Sequence, residues 1–360
     1  MGQKSSWEGV MRARLTAIVV AAGSGALLLV AGEARADAVL TLSGPDSNQG
    51  VIDLTAANPS QFGGLISSGG VTGYSLWGLL GGSTSTTTTT NASGTTVTFG
   101  AITTTTPVGD NSKNAILRDF VVATDSSGHK SIVSLGEIDP MFSGTANSNS
   151  DLISFSGSTA SLTFLGTGAS GRDLSNITSL QLVAAPALPG PLNPAPQSTA
   201  VKLSGNVTNP GSYTLSQLQA DFAPTQETVS GDLYTGVPLW TFLDPDDSDI
   251  LDQYVVTAGT DGYEVVLSLA ELDPDLGGNP GDLLPYADTN GNFPADGVAR
   301  TILPSDAPFA HGRWESDLVT VDVQSVPEPA TSALFGLGLA GLGVIRRQQR
   351  RTKQTFRNSR

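Results

Sequence analysis

The chain has 360 residues, 39% of them hydrophobic and 14% charged, with 42 Gly, 21 Pro and a formal net charge of −15. It contains no cysteine, which excludes disulfides, thiolate metal sites, Fe–S clusters and thiol nucleophiles together. Residues 37–198 carry 10 acidic and 4 basic residues and 199–325 carry 20 and 3, a field that repels phosphates and excludes nucleic acid and anionic lipid as partners of the globular part.

Residues 1–36 read as a secretory signal peptide. Arg12 and Arg14 form its positive flank, Leu15 to Val30 its apolar stretch, and Ala34, Arg35 and Ala36 a small-x-small cleavage site before Asp37. Met11 offers a second start. Ala13 separates the two arginines, so the twin-arginine signature is missing and the Sec machinery, which passes unfolded chains, is the expected export partner.

A first unit runs over 37–185 and holds an insertion, 81–114. Its threonine runs at 86–90 and 103–106 lie on either side of Asn91, Ala92, Ser93 and Gly94. Threonine is β-branched and favours strands, so the insertion is expected to form an exposed hairpin flap. Prolines 186, 189, 191, 194 and 196 then mark a linker, 186–198. Such density favours polyproline II, and the linker is expected to hold two units apart without a broad interface.

A second unit covers 199–325. A short helix opens at Thr214 or Ser216, and another over 239–243 follows Pro238. Residues 254–257 and 264–268 form strands around the Asp261-Gly262 turn, 269–272 make one helical turn before Asp273-Pro274, and Asn290-Gly291 predicts a further hairpin. Residues 318–323 alternate as a final strand.

The two units share a plan. Thr72-Gly73 and Leu76-Trp77 match Thr235-Gly236 and Leu239-Trp240, and residues 119–140 align with 253–274 without a gap, 8 of 22 positions being identical. Gly171-Arg172 and Gly312-Arg313 each precede an alternating tail. A tandem duplication of one domain is the expected organisation.

Residues 326–360 form a different tail. Val326, Pro327, Glu328 and Pro329 are followed by sixteen uncharged residues from Ala330 to Ile345 and then by an arginine cluster. As a helix the apolar stretch would be about 24 Å long, enough for a transmembrane span over 330–345 with arginines at its cytoplasmic end. These three adjoining elements resemble the PEP-CTERM sorting signal of Gram-negative bacteria. That resemblance implies recognition and cleavage by an exosortase at the Pro327-Glu328-Pro329 region, then release or attachment at the cell surface, commonly beside exopolysaccharide. A transient inner-membrane anchor is expected before processing.

The body resembles the molybdopterin-binding domain of sulfite-oxidase-type oxidoreductases. The second unit carries that pattern at residues 234–240, Gly262-Tyr263, 268–274 and Gly312-Arg313-Trp314, and the first unit looks like a diverged relative. The expected fold class is therefore α+β and β-rich: two tandem copies of a sulfite-oxidase-like fold, with a signal helix before them and a membrane helix after them. Family members bind molybdenum through a cysteine just before the Thr235-Gly236 segment, and residues 223–231 hold none. A hydroxyl such as that of Thr225 or Ser230 could stand in its place, but a neutral hydroxyl does not match a thiolate. Only Lys202, Arg300 and Arg313 could neutralise the pterin phosphate in that unit.

No catalytic residue is predicted. His311, Arg313 and Trp314 could line a small-anion pocket, with packing at a strand start as the plainer reading of His311. Asp288, Asn290, Asn292 and Asp296, and the loop from Asp244 to Asp252, offer oxygen ligands that calcium accepts, although Phe293 stands where an EF-hand loop needs Gly. No cofactor is predicted, molybdopterin and calcium being the two candidates considered. The expectation is an exported cell-surface or exopolysaccharide-matrix protein with a non-catalytic binding or structural role. A molybdopterin-dependent oxidoreductase with non-cysteine ligation is the alternative.

Overall fold

A computed structural model of the chain describes residues 38–44, 50–54, 62, 64–80, 83–90, 96–101, 115–139, 142, 151–165, 168–188, 196–246, 249–293, 295–306 and 311–326. The expected signal peptide at 1–36, the expected sorting tail beyond Val326 with its span at 330–345, and most of the proline linker lie outside them. No helix among the described residues is long and apolar enough to cross a membrane.

The first half contains β1 (Val39–Ser43), β2 (Gly50–Asp53), β3 (Leu65–Ser68), β4 (Val71–Ser75), α1 (Leu76–Leu79), β5 (Ser83–Thr90), β6 (Thr96–Ala101), β7 (Asp119–Asp125), β8 (Lys130–Ser134), α2 (Leu135–Ile138), β9 (Asp151–Ser156), β10 (Thr159–Phe164) and β11 (Leu174–Ala184). The second half contains β12 (Val201–Gly205), β13 (Gly211–Tyr213), α3 (Leu215–Asp221), β14 (Thr225–Val229), β15 (Asp232–Pro238), α4 (Leu239–Leu243), β16 (Gln253–Gly259), β17 (Glu264–Ser268), α5 (Leu269–Leu272), β18 (Leu283–Asp288) and β19 (Leu318–Ser325). The protein is β-rich, and its described helices are one or two turns long.

Strand order repeats between the halves. β2-β1-β11-β7-β8 and β13-β12-β19-β16-β17 run in the same sequence, with β1/β11 and β12/β19 parallel and every other neighbour antiparallel. The antiparallel trio β3-β4-β9 corresponds to β14-β15-β18. The halves differ at β10, which pairs with both β9 and β11 and so joins every first-half strand except the separate β5–β6 pair into one nine-stranded sheet. The second half keeps separate five- and three-stranded sheets.

Local chemistry explains the helical turns. Ser268 Oγ accepts from Glu271 N at 3.1 Å while Glu271 Oε1 accepts from Ser268 N at 2.8 Å, a reciprocal cap that starts α5. Ser134 Oγ caps α2 by accepting from Glu137 N at 3.2 Å. Asp273-Pro274 ends α5, since the residue before a proline is pushed out of helical geometry. Thr214, rather than Ser216, caps α3.

The threonine-rich insertion pairs as expected, β5 against β6 with Thr90 opposite Thr96. Asn290-Gly291 departs from expectation. It makes a turn after β18, but the returning chain meets that strand in a single bridge, Leu283 to Ile302, so a wide loop stands in place of a tight hairpin.

The expected separation of the two units is contradicted. Phe120, Val122 and Ile132 of the first half form one buried cluster with Tyr254, Val256 and Val266 of the second. These are aligned counterparts, and the rings of Phe120 and Tyr254 stack at 4.4 Å. The physical reason lies in β7, β8, β16 and β17, which are apolar on both faces. Val121, Ala123 and Val133 fill the first-half core and Val255, Val265 and Leu267 the second, so the opposite faces need a cover, which each half supplies to the other. A proline linker stiffens only its own backbone. It does not keep apart two surfaces of this kind.

Candidate functional site

The seam between the halves holds the densest chemistry in the described residues. The α2 and α5 helices meet there with their caps and carboxylates exchanged. Ser134 Oγ donates to Glu271 Oε1 across the seam at 2.9 Å, and Ser268 Oγ donates back to Glu137 Oε2 at 3.4 Å. Arg172 binds Glu137 through both terminal nitrogens, at 2.5 and 2.9 Å, and reaches Ser268 Oγ at 3.3 Å. Its counterpart Arg313 binds Glu271 at 2.8 Å and Asp306 at 3.1 Å. Both guanidiniums are buried, so each charge is held only because a carboxylate meets it.

Two further counterparts complete the network. Asp151 opens β9 and Asp282 immediately precedes β18, and both are buried. Desolvation raises both pKa values well above the ordinary range, with nearby carboxylates adding to the rise and arginine opposing it. Burial raises Asp306 to about 6 against the pull of Arg313, and it raises Glu271 likewise. The arrangement can hold the two halves in register through its crossed hydrogen bonds.

The three expected anion-site residues do not converge on one pocket. His311 and Trp314 stack with ring centroids 3.8 Å apart and planes 4° apart, while Arg313 turns away into the seam. Arg300, not Arg313, is the cation at this corner. Its Cζ lies 5.9 Å from the Trp314 ring and its Nη1 pairs with Asp296 Oδ2 at 2.6 Å. Burial and the neighbouring Arg300 lower the His311 pKa, so its ring is neutral at pH 7. Trp314 is mostly covered and donates Nε1–H to Leu303 O at 3.2 Å.

Asp288, Asn292, Asp296 and Asp244 among the expected calcium ligands are engaged by partners within the protein. Asn292 donates its backbone and side-chain N–H groups to the two oxygens of Asp288, and Asp296 is held by Arg300. Asp244 accepts from Asn209 Nδ2 at 3.0 Å. Among the described residues no group of three or more His, Asp or Glu side chains converges as a metal site would require. His129 is exposed and pairs with Asp125 at 2.9 Å in the β7–β8 turn.

A molybdopterin does not fit the residues present. Thr225 begins edge strand β14 and Ser230 occupies the β14–β15 turn with φ 55°, and neither supplies a thiolate. Of the cations that could meet the pterin phosphate, Arg313 is consumed in the seam, Arg300 is paired and Lys202 is exposed on β12.

Sequence reasoning matched Gly171-Arg172 with Gly312-Arg313 without finding their partners. The signal was available: Glu137 and Glu271 are aligned identities, each three residues after a serine. A buried arginine needs a carboxylate, and these were the aligned candidates.

Body and tail meet at β19. Val326 N donates to Asp252 O at 3.0 Å, as Ala185 N donates to Arg118 O at 2.9 Å at the end of the first half. Pro327, Glu328, Pro329, Ala34 and Ala36 lie outside the described residues. Residues 325–351 match the PEP-CTERM protein-sorting motif, which marks the chain as an exosortase substrate directed to the surface of a Gram-negative cell. No curated protein matches the chain.

Proposed function

We propose that the protein is exported through Sec, anchored briefly through 330–345, cut by an exosortase near Pro327-Glu328-Pro329, and kept at the cell surface or in the exopolysaccharide matrix as a non-catalytic binding or structural module. The observation that carries this reading is the sorting motif at 325–351, which starts on the last residues of the body's final strand.

The body is, on this reading, a tandem duplication of a molybdopterin-binding type of domain that no longer holds its cofactor. The repeated strand order and the aligned Ser, Glu and Arg residues support common descent of the halves. The commitment of Arg172 and Arg313 to the seam supports a structural use of positions that a cofactor site would need free.

Deleting the exosortase gene of the native host tests the reading. The full-length chain should then accumulate in the inner membrane and vanish from the surface and matrix fractions. An identical mature chain in the same fractions without the enzyme would refute it.

A further inference from the structure

The end of the body and the start of the sorting motif share residues, and an inference follows that rests on the chain being an exosortase substrate. β19 is an interior strand, flanked by β12 and β16. Its last residue, Ser325, stands opposite Gln253, and its hydroxyl accepts from Asn206 Nδ2 at 2.7 Å. Val326 donates its N–H to Asp252 O at 3.0 Å and packs against the seam cluster that contains Phe120 and Tyr254. The first two residues of the 325–351 match are therefore part of the folded body.

The first half shows what this residue does for the fold. Ala185, at the equivalent place, is buried in the same cluster and makes the equivalent hydrogen bond to Arg118. Val326 thus closes the seam. Pro327, the first residue of the Pro-Glu-Pro cleavage region, follows Val326 directly in the sequence. An enzyme that cuts beside Pro-Glu-Pro takes its substrate extended on both sides of the bond, and on the N-terminal side that length is already hydrogen-bonded to the body.

We propose that closure of β19 competes with processing: the exosortase gains its substrate only while Gln324 to Val326 are detached from Gln253, Asn206 and Asp252. The cut itself breaks one amide C–N bond. The carbonyl carbon passes to water or to an acceptor amine, and the new amino group leaves on the arginine-bearing piece. Folding of the body is then a gate on its own release, and the end of the sheet at Asn206 and Asp252 is the face turned toward the membrane-bound enzyme.

A pulse-chase in the native host, with and without the exosortase gene, tests the gate on three full-length chains. These are the wild type, a variant with about six Gly and Ser residues inserted between Val326 and Pro327, and Asn206→Ala, which frees Ser325 at an exposed site. The spacer should speed exosortase-dependent conversion by about threefold or more, and Asn206→Ala by less, as expected when local opening limits access. Equal exosortase-dependent rates in all three chains would overturn the gate. Conversion that persists without the enzyme would overturn the reading on which it rests.

Discussion

Gly312 and Gly171 show how single positions hold the two halves together. A Cβ on Gly312 would enter the ring of Phe142 from the first half, and one on Gly171 would meet Leu276 Cδ2 of the second at 2.5 Å. The two contacts are reciprocal, but a phenyl ring cannot give way as a leucine methyl can. Gly312→Ala should therefore cost about 1–3 kcal/mol and Gly171→Ala clearly less, read as urea midpoints at unchanged slope. Equal costs would mean that Phe142 does not press on Gly312. Asp306 supplies a second test at this scale. Its pKa is raised by burial to about 6, against about 3.9 in an unfolded chain, so the folded state holds the extra proton between those values. The stabilisation is complete below about pH 4 and is lost as pH rises through 6, on the order of 2–3 kcal/mol. His311, lowered by burial and Arg300, works in the opposite sense, weakening the fold as pH falls through about 6.5. The diagnostic is thus the difference between wild type and Asp306→Asn: the variant should lose the decline in stability between about pH 4 and pH 6 that Asp306 imposes. Parallel profiles would remove Asp306 from the account.

Among the elements, α2 and α5 are short helices whose caps also bridge the seam. Ser268→Ala removes the cap of α5, the hydrogen bond to Glu137 and a contact of Arg172 together. The expected loss is about 1–2 kcal/mol, with coupling to Glu137→Gln in a double-mutant cycle. Additive losses would mean that the cap acts within its own half alone. Much at this level was legible beforehand. The run 269–272 before Asp273-Pro274 foretold α5, Asp261-Gly262 the β16–β17 hairpin, and the alternation at 318–323 the strand β19. Asn290-Gly291 misled because a turn dipeptide fixes the tip and not the pairing beyond it, which here depends on how residues 299–303 pack. The Arg313 side chain was misplaced because the sequence shows its neighbours His311 and Trp314, whereas its carboxylates come from α5 and the loop at Asp306.

At the scale of the molecule, the seam is a buried face that neither half can leave in water unaided. Its apolar cluster and crossed ion pairs make the halves one cooperative unit, so calorimetry of the body should show a single transition. Residues 37–198 or 199–325 made alone should associate or precipitate, since each would expose the face that includes Phe120 and Val122 or Tyr254 and Val256. Two separate transitions would contradict the seam as drawn. This association escaped the sequence reading because the proline linker argued for distance, while the continuous apolar runs in β7 and β16, which need cover on both faces, were read only as strands. The tail, by contrast, was legible at once, because a sorting signal is recognised as a linear sequence and needs no fold to be seen.

The most direct measurement is the intact mass and metal content of the mature protein from its native host. The account predicts a chain that begins near Asp37, ends by Pro329, and carries neither stoichiometric molybdenum nor a pterin. A chain still extending to Arg360 in a host with an active exosortase, or molybdenum at one atom per chain, would contradict it.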